Sequence, residues 1–233
     1  MVSLLRRSLL LFVLTHLFAC ISTQAPKNLL DAELSQFENI YSYGVAEYRN
    51  GELVLESTKN WFYSTKKTYK NFVLTAEILL PDVEEYSNSG ILFRGQTKPV
   101  EGGVVAIGYQ AEVDPSTRRW SGGFFDQGRR QWLHPTHPTR SQPDEKFIKN
   151  FIPEWTEELA NAYKHLEWNR YRIECRGNEI KIFVNDILTT HVLDSTDSEG
   201  FIALQHHGSK KLIETGKTDN QVKFRNVFIT ELD

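Results

Sequence analysis

The sequence predicts an all-β fold, a jelly-roll β-sandwich of two antiparallel sheets carrying one short helical insertion. Three observations predict it. Short runs in which apolar and polar side chains alternate recur along most of the 233-residue chain, and Gly, Pro, Asn or Asp bounds them. Helical periodicity is confined to one brief segment. The length exceeds a minimal immunoglobulin-like domain, which favours the larger sandwich with a concave face. A closed barrel is the alternative arrangement.

Taken in order, residues 1–25 read as a signal peptide. Arg6 and Arg7 form a positive start, and Ser8 to Ala19 is an apolar run too short to span a bilayer comfortably. Two cleavage routes stay open. Leu17-Phe18-Ala19-Cys20 resembles a bacterial lipobox, with Cys20 as the lipidation site, whereas Thr23-Gln24-Ala25 offers an ordinary signal-peptidase site. The expected location is the bacterial cell envelope, as a periplasmic or outer-membrane lipoprotein, or else secreted. Residues 26–233 are expected to form a single domain, since neither an internal repeat nor a second core is visible.

Pro26 to Tyr48 reads as a connecting stretch with a turn or weak helix over Asp31 to Phe37. Gly51 to Ser57 is a strand after an Asn-Gly turn, and Trp61 to Tyr63 another. In Asn71 to Leu80, Phe72, Leu74, Ala76, Ile78 and Leu80 share one apolar face, and Pro81 ends the strand. Strands follow at 88–94, 108–114 and 120–126. The last four are Asn169 to Arg176, Glu179 to Asn185, Gly200 to His207 and Gln221 to Leu232, with Arg176-Gly177-Asn178 turning the first two into a hairpin.

The stretch from Asn88 to Asp114 carries the chemistry. Alternation puts Gln110, Glu112 and Asp114 on one face of their strand and Tyr109, Ala111 and Val113 on the other. In the preceding strand Leu92 and Arg94 share a face opposite Ile91 and Phe93. Carboxylates, an amide and a guanidinium in mid-sheet are costly unless solvated or paired, so the pattern implies a polar cleft across a sheet.

Gln127 to Glu167 breaks the strand pattern. Pro135, Pro138, Pro143 and Pro153 make its first half loop, and Pro153 to Lys164 fits one short helix, with Trp155, Leu159 and Tyr163 at helical spacing. Such an excursion is either a rim of the cleft or an inert insertion. The net charge of -3 and the absence of a basic stripe argue against nucleic acid or an anionic membrane surface as partner. A lipid anchor at Cys20 is the one membrane link expected, and the oligomeric state is left open. Without Cys20, Cys175 is the one remaining cysteine, so neither an intrachain disulfide nor a Cys-based metal site is expected. Cys175 shares a face with Tyr171 and Ile173 and reads as core. No cofactor is expected. Asp126, His134 and His137 lie close in sequence, but their spacing matches no recognised metal site.

Several motifs, in order, resemble one family. Asn88-Ser89-Gly90-Ile91-Leu92-Phe93-Arg94 resembles its N-S-G-[IVL]-x-F-R strand, and Gly108 to Asp114 its G-[YM]-[EQ]-x-[QE]-[IV]-x-D. Gly122 to Asp126, Glu167-Trp168-Asn169, Asn185, Gly200 to Gly208 and Phe224-Arg225-Asn226-Val227 match its later motifs. The family is the 3-keto-disaccharide hydrolase domain, and its fold is the concanavalin A-like lectin/glucanase sandwich. The chain departs from it at Gln110 before Glu112, at Phe125 in place of Tyr, at Asp186 in place of Gly, and in the insertion from His134 to Lys164.

The resemblance implies glycosides whose C3 hydroxyl has been oxidised to a ketone. The ketone acidifies the C2 proton, so a base forms an enolate, elimination breaks the C1–oxygen bond, and water adds back. That chemistry needs a base, a partner for the enolate oxygen and an acid for the leaving group. The expected catalytic residues are Glu112 as base, Arg94 as oxyanion partner and His207 as acid. Gln110, Gln205, Asn88 and Asp114 are expected to hold the sugar, with Trp120, Trp132 and Trp168 as stacking surfaces. A carbohydrate-binding module without catalysis is the alternative. An endo-glucanase, needing two nearby carboxylates such as Glu112 and Asp114, ranks third.

Overall fold

The computed structural model describes residues 25–233; the expected signal segment up to Gln24, Cys20 included, lies outside the described residues. The first strands are β1 (Lys27–Asn28), β2 (Phe37–Asn39), β3 (Val45–Arg49), β4 (Glu52–Glu56), β5 (Trp61–Tyr69) and β6 (Phe72–Leu79). Then come β7 (Ser89–Val100), β8 (Gly103–Val113), β9 (Phe124–Gln127), β10 (Gln131–His134), β11 (Phe147–Asn150) and the helix α1 (Glu157–Ala160). The chain ends with β12 (Asn169–Arg176), β13 (Glu179–Val184), β14 (Ile187–Asp194), β15 (Gly200–His206), helix α2 (Lys210–Thr215) and β16 (Val222–Glu231).

They make two antiparallel sheets. The larger has the order β11-β14-β13-β12-β6-β16-β4-β3, with β1 pairing the far end of β16, and the smaller β10-β9-β8-β7-β15-β5-β2. The inward faces meet in one core. Phe72, Leu74, Ala76 and Ile78 of β6 and Tyr171, Ile173 and Cys175 of β12 pack with Ile91 and Phe93 of β7 and Tyr109, Ala111 and Val113 of β8. Each of the Val, Leu, Ile and Phe side chains among them, taken fully out of water, stabilises the fold by about 1.5–3 kcal/mol. Cys175 is enclosed, and burial pushes its thiol up to about 12, as suits a small apolar residue.

The alternation rule places the core-facing residues, but a bulge defeats it at Arg94. Pairing between β7 and β8 jumps from Phe93 opposite Tyr109 to Gln96 opposite Ile107, and Arg94 takes a left-handed φ of 49°. An inserted residue breaks the two-residue period, so Arg94 leaves the face of Leu92. Its guanidinium is fully buried and spent on backbone carbonyls: Nε (3.2 Å) and Nη2 (2.9 Å) donate to Lys70 and Nη1 (2.9 Å) to Asp197.

Other boundaries shift for local reasons. The expected strand at Trp120 shortens to Phe124, because Gly123 N–H donates to the Trp120 carbonyl and closes a turn first. The expected helix over Pro153 to Lys164 shrinks to α1. Asn169, fully buried, accepts from Lys164 N–H at 2.7 Å and donates to the Lys164 and Glu167 carbonyls, drawing that backbone out of helical register. β14 follows a tight turn in which Asn185 and Asp186 both have positive φ, the type I′ hairpin geometry that Asn-Asp tolerates.

A buried ion network clips the two sheets together at one edge. Asp126 accepts from both Arg129 and Arg130, Arg130 Nη1 lies 3.0 Å from Asp194 of β14, and Tyr109 O–H donates to Asp194 at 2.5 Å. Asp126 is therefore committed to structure. Among the described residues no group of three His, Cys, Asp or Glu could hold a metal ion, and no helix is long and apolar enough to cross a membrane.

Candidate functional site

The outer face of the smaller sheet carries the polar residues that alternation sends away from the core. Gln110 and Glu112 on β8, Gln205 on β15 with His207 just beyond it, Phe125 and Gln127 on β9, and Trp132 on β10 share it. Except for Gln110, these line a cleft of about 110 Å³, joined by Asn60, Tyr86, Asn88, Arg118 and Arg140 from the surrounding loops.

Glu112 forms the floor. Its backbone is held from three sides: the carbonyl accepts from Tyr171 O–H across the core (2.9 Å) and from Gly122 N–H (2.7 Å), and its N–H donates to Gly123 (3.1 Å). Its side chain is 6 % exposed. Gln110 Nε2 donates to Glu112 Oε1 at 2.8 Å and to Gln205 Oε1 at 3.0 Å, and Gln205 Nε2 donates to Asn60 at 2.7 Å. Burial first, and repulsion from Asp114 second, push the Glu112 carboxyl up to about 8, against the opposing pull of Asn88, Arg118 and Arg140. A carboxyl poised near neutrality can both take and give a proton.

The chain's own geometry makes room for this network at Gly90. Gly90 stands opposite Glu112 in the β7–β8 ladder, and the Gln110 amide lies over its Cα. A Cβ there would come within 2.3 Å of Gln110 Nε2.

Asp114 points to the same side but behind the wall. It accepts from Arg118 Nε at 2.9 Å, from Tyr86 O–H at 3.3 Å and from Ser116 N–H at 3.0 Å. Tyr86 in turn accepts from Asn88 Nδ2 at 3.1 Å. The Arg118 guanidinium, so held, lies over the Trp132 ring at 5.6 Å. His207 sits exposed at the rim, edge-on to Tyr86 at 5.9 Å, and desolvation on its inner side lowers its pKa from the usual imidazole value. His206 faces the other way, buried and bonded to the Asn220 carbonyl at 2.9 Å.

The structure thus brings Glu112, Gln110, Gln205, Asn88, His207 and Trp132 together, with Asp114 one layer back. Three expected members lie elsewhere. Arg94 is bound to carbonyls at the bulge. Trp120 stacks edge-on behind Trp132 at 4.9 Å and does not line the cleft. Trp168, just before β12 of the larger sheet, is covered by the Arg225 guanidinium at 4.1 Å. His134 is bonded to Asn150 at 3.0 Å, and His137 stacks on Trp120.

Sequence reasoning missed Asn60, Tyr86, Arg118, Phe125, Gln127 and Arg140. Alternation through β9 could have found Phe125 and Gln127, which share a face. Arg118 is four residues after Asp114, a spacing that a tight turn turns into an ion pair. Nothing local marks Arg140, which comes from the Pro-rich insertion.

The family model of the 3-keto-alpha-glucoside-1,2-lyase-like domain matches residues 25–230. No curated protein matches the chain. Among solved structures, a Parabacteroides distasonis protein with a provisional glycosyl hydrolase name superposes with a TM-score of 0.55 at 18% identity, over 90% of this chain and 100% of its own. The carbohydrate binding module CBM66 from Bacillus subtilis gives 0.52 at 17%, over 82% and 93%. A Bacillus subtilis protein of unknown function with a galectin-like fold gives 0.55 at 10%, over 91% and 97%. At these identities the likeness establishes the sandwich fold alone.

Proposed function

The chain belongs to the 3-keto-alpha-glucoside-1,2-lyase-like domain family, and from that premise we propose that its cleft cleaves the glycosidic bond of 3-keto-glycosides by elimination and hydration. One observation carries this reading: a buried carboxyl, Glu112, stands in the floor of an open cleft with an amide donor on it and a pKa raised to about 8. A carboxyl kept only to bind sugar hydroxyls works best ionised, whereas one poised near neutrality suits proton transfer.

In the proposed cycle Glu112 takes the proton from C2, the C2–H electrons form the enolate with the C3 carbonyl, and collapse of that enolate expels the C1 oxygen. Water then adds its hydroxyl at C1 and its own proton at C2, for net hydrolysis. The enolate charge faces the Arg118 guanidinium and the amides of Asn88 and Gln205 rather than Arg94. His207 is the proposed proton carrier to the leaving oxygen. Its imidazole is held neutral at rest, so the proton it delivers comes from the first step. A leader over residues 1–25 would carry the enzyme to the cell envelope, with or without a lipid on Cys20.

The second reading, a module that binds carbohydrate without cleaving it, is favoured by the side-chain amides of Asn88 and Gln205 that line the cleft, and by the carbohydrate binding module among the structural neighbours. The two separate in one experiment. Mature protein and Glu112→Gln are incubated with 3-keto-trehalose or 3-keto-glucosides and with their unoxidised parents. The proposal expects sugar release from keto substrates alone, lost in the variant. Binding without release from any substrate establishes the module instead.

A further inference from the structure

We propose that the cleft is built for an acidic glycoside, one whose carboxylate docks on Arg140; this rests on reading the cleft as a carbohydrate site. The argument is a count of charges. Arg118 is matched by Asp114 at 2.9 Å, and the Asp114 side chain is fully buried in that pair. Arg140 lines the same cleft yet forms no ion pair among the described residues, and its Nε is buried with no hydrogen-bond acceptor. A partly buried guanidinium without an acceptor forfeits its desolvation cost unless a ligand supplies one.

The backbone that carries Arg140 is held in place. His137 N–H donates to Ser141 Oγ at 2.7 Å, and Gln142 N–H to the Arg130 carbonyl at 3.0 Å. These bonds close the loop around Arg140 and tie it to the Arg130 network. The insertion therefore presents a guanidinium from a braced loop to the cleft that Trp132 also lines. A planar guanidinium prefers an oxyacid group that can accept two parallel hydrogen bonds.

The number of free charges selects a carboxylate over a phosphate. Arg118 and Asp114 cancel. Glu112, raised to about 8, is mostly uncharged at neutral pH, which leaves the single charge of Arg140. A monoanion balances that charge, whereas a dianion would face Glu112 and Asp114 with a surplus. The carboxylate belongs either to the sugar ring, as in a uronide, or to the group leaving with the glycosidic oxygen.

The test is calorimetric binding of methyl glucosiduronic acid and of methyl glucoside to the mature protein, repeated with Arg140→Gln and Arg140→Lys. A carboxylated phenyl glucoside alongside phenyl glucoside separates the two placements of the acid. The proposal expects one acidic ligand to bind about 10- to 100-fold tighter than its neutral partner. That preference should vanish in Arg140→Gln and persist in part in Arg140→Lys. Equal binding of acidic and neutral ligands, a preference that survives Arg140→Gln, or no binding of any of the four overturns it. Loss of turnover of neutral keto substrates in Arg140→Gln, with no acid preference in wild type, would make Arg140 a partner of the enolate instead, which also overturns it. Because none of these ligands has to be cleaved, failure of the cleavage proposal leaves this result legible.

Discussion

Gln110 fills the space above Gly90, its Nε2 lying 2.3 Å from where a Cβ at that position would be. The contact joins two strands of one sheet and fixes the amide that donates to both Glu112 and Gln205. The glycine of the Asn88-Ser89-Gly90 motif is therefore a condition for the site, through close approach rather than a special backbone angle. Gly90→Ala is expected to push Gln110 off Glu112, cost about 1–3 kcal/mol in stability, and reduce kcat/KM on keto substrates by more than tenfold. Chemical denaturation and steady-state kinetics on the same preparation check it; full activity in the variant would show that Gln110 has room to move.

Glu112 should set the pH dependence of both activity and stability, with distinct signs. As a base it must be ionised, so kcat/KM is expected to rise as pH rises through about 8. For stability, the folded pKa of about 8 lies above the unfolded value near 4.5. Between those limits the folded state holds a proton the unfolded state has released, so stability falls as pH rises across that window. Glu112→Gln keeps an acceptor for Gln110 but removes the charge. It should abolish turnover while making the protein more stable at pH 8 to 9, by on the order of a few kcal/mol, and should change nothing at pH 4. Melting curves across pH are the check.

Arg94 is expected to matter to folding and not to chemistry. Arg94→Met leaves the Lys70 and Asp197 carbonyls short of their donors, a loss of about 2–4 kcal/mol. The folded fraction should keep wild-type kcat. A hundredfold drop in kcat with unaltered stability would return Arg94 to the active site.

The Asp126–Arg130–Asp194 network makes a similar structural prediction. Removing Arg130 leaves the fully buried Asp194 without its cation and the fully buried Asp126 with Arg129 alone, so Arg130→Met should destabilise by about 3–5 kcal/mol. Addition of divalent metal is expected to restore neither stability nor activity. A metal-dependent rise in melting temperature would identify an ion site among these acids.

The proposed processing of residues 1–25 as a leader is tested at the N-terminus of the purified protein. Mass spectrometry of protein expressed in a bacterial host with both signal peptidases is expected to find diacylglycerol on Cys20. A chain that begins at Pro26 would assign the ordinary route.

What was legible without coordinates was whatever depends on neighbours in sequence. A two-residue period is a local property, so it placed Phe72, Leu74, Ala76 and Ile78 in the core and sent Gln110 and Glu112 to the opposite face from Tyr109 and Ala111. The ordered motifs carried the family and its sandwich. Two things lay beyond that local rule. One is a break in the period itself: the bulge at Arg94 is a property of how β7 pairs with β8, and no pattern within residues 88–94 announces it. The other is convergence. Asn60, Tyr86, Arg118 and Arg140 meet Glu112 because the order of strands in the smaller sheet and the path of the insertion bring distant loops to one place. The carboxyl's raised pKa belongs to that same assembly, since burial and the charge of Asp114 arise only when the chain has folded around it.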